Sequence, residues 1–263
     1  MIAGIPFYIV CFNRLHGLQQ AMSFVERSSI PLNPVILDMG STWQPYLEYR
    51  DSLGLRIEHF KYGVGPRDLF TNGFIASDGA GPFFFSDGDL DYSETSSKAF
   101  ENMKKASDKY PWFPKIGLAL PLEGVPSDKE GIRVRKWERD NWRISFKRGI
   151  YLNGVDTTIA YYPRREDTFF YRPSLRLADS NSVRHYPWFE RNDSEEAIYY
   201  ASLARSNISS TAAGDTPSLR YRIKHAILIA LYFLSIIPLK FKPTGKLFVD
   251  LLARNGTIPP RRS

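Results

Sequence analysis

The sequence PFFFSDGDLD occupies residues 82–91 and joins an aromatic run to a cluster of acids. Three consecutive phenylalanines between turn-forming residues are typical of a short strand that is buried on both faces of a sheet. Asp87, Asp89 and Asp91 follow at alternate positions. Because carboxylates this close repel one another, they belong either in water or around a divalent cation, which prefers oxygen ligands. Open α/β sheets bind ligands at the carboxyl ends of their strands, so a metal site is the favoured interpretation.

Two other structures are compatible with acids in this arrangement. A solvated acidic turn that caps a strand fits an Asp-x-Asp pattern equally well. A calcium loop of the EF-hand type requires Gly at its sixth position and Glu at its twelfth. Counted from Asp87, those positions hold Tyr92 and Lys98, which excludes the calcium loop.

Strand and helix patterns alternate through the first 110 residues, which predicts a parallel sheet with right-handed crossovers. The predicted strands are 6–12, 33–38, 55–60 and 82–86, and the predicted helices are 15–27, 43–53, one that begins at Pro66, and 95–110. The segments that follow parallel strands gather at one edge of the sheet. We therefore expect Arg14, Asp38 and the acidic cluster to line one cleft.

The second half has weaker patterns. We expect a strand at 115–120, a charged helical stretch at 137–142 with a tryptophan at each end, and a helix at 194–206. The two tryptophans either pack onto the sheet or form an acceptor wall, because aromatic faces stack on sugars.

The segment 154–162, GVDTTIAYY, places an acid before β-branched and aromatic residues, which is typical of the start of a strand. If that strand joins the sheet edge, Asp156 faces the cleft and is a candidate base that deprotonates an acceptor hydroxyl. A structural Asp that caps a turn explains the same residue equally well. Glu138 is the second candidate for the base.

Composition narrows the possible functions. The single cysteine, Cys11, allows no disulfide within the chain, which suits a reducing compartment. The apolar start lacks the basic leader and cleavage site of a signal peptide, so a cytoplasmic location is expected. The chain also lacks a phosphate-binding GxxxxGK[ST] loop and a GxSxG elbow, and its glycine-rich segment 63–67 lacks the third glycine of a dinucleotide-binding motif.

The C-terminal segment 213–263 holds nine basic and two acidic side chains, so it carries the whole net charge of +7. The neutral remainder argues against a nucleic-acid partner. Residues 226–239 are nearly all apolar between basic flanks, and they fall short of the roughly twenty residues of a spanning helix. A buried core helix is one interpretation. The favoured one is a tail that lies in an anionic membrane interface, on the inner face of the cell membrane.

Four motifs in order resemble one known family. VCFNR at 10–14, VILDMGST at 35–42, YGVGPR at 62–67 and FFFSDGDLD at 83–91 resemble the nucleotide-sugar-binding half of family-2-type glycosyltransferases with the GT-A fold. The resemblance covers roughly the first 120 residues. A DTT segment followed by RHYPW at 184–188 also resembles a group of bacterial glycosyltransferases of glycan or lipopolysaccharide biosynthesis.

The resemblance implies an α/β fold with a GT-A-like, mostly parallel sheet flanked by helices. It divides the chain into a domain at 1–212, with a nucleotide-sugar-binding half at 1–120 and an acceptor half at 121–212. A linker and basic, apolar helical tail follow at 213–263.

The resemblance also implies roles for individual residues. Asp38 would contact the nucleobase, commonly uracil, while Asp87 and Asp89 would hold the ribose and a Mn²⁺ or Mg²⁺ ion on the diphosphate. Asp91 opens a second Asp-x-Asp frame, and the sequence alone does not choose between the frames. We favour Asp87 and Asp89 because they follow the apolar run directly.

Further residues are assigned by the same resemblance. His185 would complete the metal shell, although a lone histidine is as often structural. Arg184 beside it would bind the diphosphate as a fixed cation. Arg14 and Arg67, in the first and third motifs, would contact the nucleotide-sugar.

The sequence thus predicts a metal-dependent glycosyltransferase that moves a sugar from a nucleotide-sugar donor, UDP-linked, to a glycan or lipid-linked acceptor. The alternative is a non-catalytic carbohydrate- or membrane-binding module on the same scaffold.

Overall fold

A computed structural model describes residues 4–111, 113–155, 158–165, 174–189 and 194–203. The chain divides into two units, Met1–Ala213 and Gly214–Ser263, and every described residue belongs to the first. Asp156 and the predicted membrane-associating segment 226–239 lie outside the described residues. The domain boundary at 212/213 stays a prediction. Across the described ranges, no helix has the length and apolar character needed to cross a membrane.

The N-terminal part of the sheet has four parallel strands in the order β3-β2-β1-β4. The strands are β1 (Ile5–Cys11), β2 (Leu32–Asp38), β3 (Arg56–His59) and β4 (Phe83–Asp87). The helices between them are α1 (Leu15–Arg27), α2 (Gln44–Ser52), α3 (Pro66–Thr71) and α4 (Phe74–Ser77). This alternation confirms the predicted parallel arrangement of the first half.

The sheet continues beyond β4 in the order β9-β6-β10-β8-β7, so that it has nine strands among the described residues. The remaining elements are β5 (Leu90–Asp91), α5 (Ala99–Lys109), β6 (Ile116–Leu118), α6 (Lys129–Glu138), β7 (Ser145–Lys147), β8 (Ile150–Asn153), β9 (Ile159–Tyr162), β10 (Ser174–Leu177), β11 (Arg184–His185) and α7 (Glu195–Ser202). Strand β9 runs antiparallel between β4 and β6, whereas β6 and β10 are parallel. The predicted α/β class is confirmed, with a parallel first half and a mixed second half.

The aromatic run of β4 is buried on both faces, as its composition predicts. On one face the ring of Phe84 stacks on Phe100 of α5 with centroids 4.3 Å apart. On the other face Phe85 packs edge-on against Phe70 of α3 at 4.8 Å. Phe83, Phe84 and Phe85 are each no more than 1% exposed. Large rings that lose all contact with water drive the helices onto the two faces of the sheet.

Candidate functional site

The carboxyl ends of β1, β2 and β4 meet at one edge of the sheet. The strand register sets Val10 beside Asp87 and Cys11 beside Asp38, so the segments that follow these strands are neighbours. The structure therefore places Arg14, which follows β1, at the same edge as both acids. We call this surface the acidic edge.

The turn that separates Asp87 from Asp89 is clamped from two sides. The Gly88 N–H donates to the carbonyl of Val10 at 2.7 Å. A Cβ atom on Gly88 would lie 2.6 Å from that same carbonyl oxygen, and one on Gly17 of α1 would lie 2.0 Å from the carbonyl oxygen of Gly88. Only glycine fits at both positions. The contact fixes the turn, and with it the two carboxylates that flank it, against β1 and α1.

The second part of the chain brings a histidine to Asp89. Strand β11 pairs antiparallel with β5, which sets His185 opposite Leu90. The Tyr186 N–H donates to the Asp89 carbonyl at 2.9 Å. As a result, Nε2 of His185 lies 3.5 Å from Oδ2 of Asp89. The ring of Trp188 packs against the imidazole, with centroids 4.9 Å apart.

The surroundings keep this imidazole neutral. Burial lowers the pKa of His185 below its ordinary value of 6.5, and the nearby Arg14 guanidinium lowers the pKa further, while Asp89 opposes both. A neutral imidazole retains a lone pair, which is what a metal ion requires of a histidine ligand.

Asp89 and His185 also suit a divalent ion because each has a buried side-chain atom that no described residue hydrogen-bonds. Oδ1 of Asp89 and Nδ1 of His185 are buried and have no hydrogen-bond partner within the described ranges. The atoms of the two side chains that face each other are Oδ2 of Asp89 and Nε2 of His185, which lie 3.5 Å apart. Among the described residues, no three His, Cys, Asp or Glu side chains form a metal-binding cluster, so this part of the chain supplies a pair.

Asp38 has a well-defined structural place. It is 1% exposed, and its Oδ1 accepts the N–H groups of Gly40 at 2.9 Å and Ser41 at 2.7 Å. Its Oδ2 accepts from Nη1 of Arg50 at 2.6 Å. The carboxylate therefore organises the loop after β2. Its predicted contact with a nucleobase stays a prediction.

Asn13 ties the loops after β1 and β2 together, a role that the sequence analysis did not assign. Its Oδ1 accepts the N–H groups of Thr42 and Trp43, both at 2.8 Å, and its own N–H donates to Oγ of Ser41 at 3.0 Å. Its φ of 53° is in the left-handed region, where Asn is enriched among non-glycine residues. The sequence signal for this role is the position of Asn13, directly after a strand whose carboxyl end lies at the edge where α/β sheets bind ligands.

Helix α7 places a further acid at Arg14. Oε1 of Glu196 lies 3.5 Å from Nη1 of Arg14, and Oε2 accepts the N–H of His16 at 2.9 Å. The Arg14 guanidinium also lies 3.9 Å from the ring centre of Tyr200. Sequence reasoning missed Glu196 because acids in a first helical turn are common for electrostatic reasons alone. No role was assigned from the sequence to His16, whose ring stacks on Tyr186 with centroids 4.1 Å apart.

The other two predicted arginines have different surroundings in the structure. Arg184 forms an ion pair with Glu94 at 3.1 Å and sits over the ring of Phe189. Arg67 is exposed in the first turn of α3. Asp91 accepts the N–H of Ser93 at 2.8 Å, so its carboxylate caps the next turn.

Asp156 lies outside the described residues, but the start of the strand that follows it is described. Thr158 precedes β9 and accepts the Asp87 N–H at 2.9 Å. The predicted strand therefore joins the sheet next to β4 and begins at the acidic edge. The role of Asp156 as a base stays a prediction.

Glu138, the second candidate for the base, belongs to the interior. It is 2% exposed, its Oε1 accepts from Arg176 at 2.6 Å, and its Oε2 accepts from Asn141 at 2.6 Å. Burial raises the pKa of Glu138, and the Arg176 guanidinium counteracts this. With both oxygens bonded inside the fold, Glu138 cannot meet an acceptor hydroxyl. Of the nearby aromatics, Trp142 packs against Tyr151, and Trp137 is 42% exposed.

Comparisons with known proteins gave likenesses among solved structures alone. No family model matches the sequence, and no curated protein matches it. The chain is similar to S. aureus TarS 1–349 at 12% identity and a TM-score of 0.45, over 69% of this chain and 60% of that one. It is also similar to the mannosyltransferase PcManGT from Pyrobaculum calidifontis, in complex with GDP-Man and Mn²⁺, at 12% identity and a TM-score of 0.46, over 97% of this chain and 76% of that one.

A third likeness is to glucosyl-3-phosphoglycerate synthase from Mycobacterium tuberculosis, in complex with Mn²⁺, UDP-glucose and phosphoglyceric acid. It has 13% identity and a TM-score of 0.40, over 62% of this chain and 56% of that one. The chain thus spans less than two thirds of the TarS and synthase chains. All three likenesses have an identity of at most 13% and a TM-score of at most 0.46. They are too distant to assign an activity or a residue role to this chain.

Proposed function

We propose that the protein is a metal-dependent glycosyltransferase that moves a sugar from a nucleotide-sugar donor, UDP-linked, to a glycan or lipid-linked acceptor. The observation that carries the proposal is the pairing of Asp89 with His185, 3.5 Å apart, at the acidic edge beside Arg14. A carboxylate and a neutral imidazole are suitable ligands for a divalent ion. A guanidinium next to that ion is suited to the oxygens of a diphosphate.

Different residues of the acidic edge hold different parts of the donor. Asp89 and His185 would hold Mn²⁺ or Mg²⁺, with Asp87 across the Gly88 turn. When bound, the ion neutralises the charge that develops on the diphosphate leaving group. Arg14 binds diphosphate oxygens from the side of β1. Asp91 accepts the Ser93 N–H, which supports Asp87 and Asp89 as the Asp-x-Asp frame that binds the metal.

The loop after β2 receives the nucleobase in this proposal. Asp38 shapes that loop through its bonds to Gly40, Ser41 and Arg50, and Asn13 fastens it to the segment after β1. Arg67 and Arg184 are proposed as further contacts for the donor. Arg184 directly precedes His185 in β11, and Arg67 lies in the first turn of α3, which follows β3.

In the transfer itself, the bond between the anomeric carbon and the diphosphate oxygen breaks, and a bond from that carbon to the acceptor oxygen forms. The nucleoside diphosphate leaves with the bonding electrons. Asp156 takes the proton of the acceptor hydroxyl. The support for this role is that the described strand β9, which follows Asp156 in the sequence, begins beside Asp87.

A thermal-shift titration with UDP, GDP and CDP, each with and without Mn²⁺, tests the proposal. A ligand at one hundred times its dissociation constant stabilises the fold by about 2.7 kcal/mol. We expect Mn²⁺-dependent stabilisation by UDP, its loss in Asp89→Asn, and its retention in the control Asp91→Asn. An unchanged shift in Asp89→Asn would contradict the metal site, and no shift with any nucleotide would contradict the donor.

Membrane attachment is proposed on the sequence alone. The apolar segment 226–239 with its basic flanks would lie in an anionic interface, on the inner face of the cell membrane, where each basic residue contributes about 1 kcal/mol. Such an attachment suits a lipid-linked acceptor.

Cosedimentation with anionic vesicles should fall when three tail lysines become glutamine and should persist when three exposed lysines of the body do. The tail set is Lys240, Lys242 and Lys246, and the control set is Lys105, Lys129 and Lys136. Equal losses would contradict attachment through the tail.

A further inference from the structure

Helix α7 docks on the acidic edge through an acid. Of the eight residues of α7, all of them described, Glu196 alone is buried, at 6% exposure. Ile198, its large aliphatic residue, is 57% exposed. Surface helices ordinarily bury an apolar stripe. This helix is held by the partners of that glutamate together with the ring of Tyr200, which packs edge-on against the buried Phe12.

Those partners are groups that bind anions. Nη1 of Arg14 lies 3.5 Å from Oε1, and the N–H of His16 donates to Oε2 at 2.9 Å. His16 is the second residue of α1, and N–H groups in a first helical turn have no partner inside their own helix. Glu196 thus places its carboxylate where the Arg14 guanidinium and the His16 N–H, which has no partner within α1, converge.

The rest of the contact is made by tyrosines, and it covers the ends of two strands. The Tyr200 ring lies against the Arg14 guanidinium, after β1. The Tyr199 hydroxyl shares a hydrogen bond of 2.9 Å with Oγ1 of Thr42, and its ring stacks on Trp43 at 5.8 Å, after β2. Helix α7 therefore covers the part of the edge to which the proposed function assigns the donor.

We propose that Glu196 occupies the subsite of the donor diphosphate, and that the docked α7 is a resting state which donor binding displaces. In this exchange Arg14 leaves the Glu196 carboxylate and pairs with the diphosphate. The Glu196 carboxylate opposes a diphosphate at the same guanidinium, because like charges brought close together repel. The inference rests on the proposed function and adds a device that controls access to its site.

The exchange predicts that removing the charge of Glu196 tightens donor binding. When only an open minor state binds a ligand, the apparent dissociation constant is the intrinsic one divided by the fraction of molecules in that state. If α7 is docked in about nine molecules of ten, the apparent dissociation constant of the donor is about tenfold higher than that of the open state. Glu196→Gln keeps the size of the side chain and an oxygen for the His16 N–H, but it no longer attracts Arg14 as a carboxylate does.

The test is calorimetric binding of UDP with Mn²⁺, and separately of inorganic pyrophosphate with Mn²⁺, to the full chain. The variants are Glu196→Gln and the matched control Glu195→Gln, which removes an exposed acid from the same helical turn. We expect a dissociation constant about tenfold lower in Glu196→Gln and an unchanged one in Glu195→Gln. If Glu196→Gln does not fold, Tyr199→Phe, which removes the bond to Thr42, should give a smaller gain in the same direction.

The outcomes separate the two proposals. Weaker or equal binding by Glu196→Gln would overturn the inference, since Glu196 would then position Arg14 for the donor or be indifferent to it. An equal gain in Glu195→Gln would overturn it as well, because net charge alone would explain the effect. Failure of UDP, GDP and CDP to bind any variant would overturn the proposed function, and the inference with it.

Discussion

Nε2 of His185 lies 3.5 Å from Oδ2 of Asp89, although the two residues are far apart in the sequence. The short antiparallel pair of β5 and β11 produces this contact, because it sets His185 beside Leu90 and leaves the Tyr186 N–H bonded to the Asp89 carbonyl. The pair is held by backbone hydrogen bonds. A histidine is thereby delivered to the acidic turn by the fold itself.

Replacing this histidine should abolish metal-dependent donor binding. In His185→Gln the imidazole nitrogen is lost while the backbone pairing of β11 with β5 remains. We expect the Mn²⁺-dependent heat of UDP binding to disappear in isothermal calorimetry. His59→Gln, at an exposed position on β3, is the control and should bind as the unmodified protein does. Retained Mn²⁺ dependence in His185→Gln would show that the histidine is structural.

The contact between Gly17 and Gly88 gives a second prediction. A Cβ atom at position 17 would lie 2.0 Å from the Gly88 carbonyl oxygen, so Gly17→Ala must push the acidic turn away from α1. We expect a loss of about 1–3 kcal/mol in the free energy of unfolding, typical of overpacking, and weaker Mn²⁺-dependent binding of UDP. Chemical denaturation and calorimetry measure the two effects.

A matched alanine substitution controls for the loss of a glycine. At Gly65 a Cβ atom would lie 3.7 Å from Oδ2 of Asp68, an ordinary van der Waals contact, and φ is negative. Gly65→Ala should therefore change stability little. If Gly17→Ala behaves like Gly65→Ala, the acidic turn is not fixed by α1.

The first half of the fold could be predicted because its strands and helices are encoded locally. The predicted helix 15–27 coincides with α1, and the strand predicted at 82–86 is β4. Aromatic runs between turn residues, and helical spacing of apolar residues, are signals within a single element. The order of motifs then suffices to gather the segments after the strands at one edge.

The second half could not be predicted in the same detail. Strands β7, β8 and β10 are three or four residues long, and β10 contains the charged Arg176, which is buried only because Glu138 pairs with it. Such a strand has no alternating pattern to recognise. The meeting of Glu196 with Arg14 is likewise a contact between distant segments that no local spacing encodes.

The buried pair of Glu138 and Arg176 gives a third prediction, on stability. Their side chains are 2% and 4% exposed, and 2.6 Å separates Oε1 from Nη1. Removing one partner leaves a buried charge, so Arg176→Met should lower the free energy of unfolding by about 3–5 kcal/mol. The double variant Arg176→Met with Glu138→Leu should recover much of that loss, because no unpaired charge remains. Urea denaturation checks both, and an equal loss in single and double variants would contradict the pairing.

The acid stability of the fold should depend on Asp78. Burial alone would raise the pKa of Asp78, but hydrogen bonds from Arg56 and Tyr8 outweigh it and lower the pKa below 3.8. The Arg56 Nη2 lies 2.6 Å from Oδ1, and the Tyr8 hydroxyl donates to Oδ2 at 2.5 Å. Because the folded state holds the proton less tightly than the unfolded state, stability from this group is present above pH 3.8 and is lost as the pH falls through the folded pKa.

Asp78→Asn isolates this contribution. At neutral pH we expect the variant to be less stable by about 1 kcal/mol, a modest value because Arg56 is half exposed and the pair is screened. Below the folded pKa the two proteins should converge, since Asp78 is then protonated in both states of the unmodified chain. Urea denaturation between pH 2 and 6 measures the difference. A difference that stays constant across this range would mean that the Asp78 carboxylate is not stabilised by Arg56 and Tyr8 in its charged form.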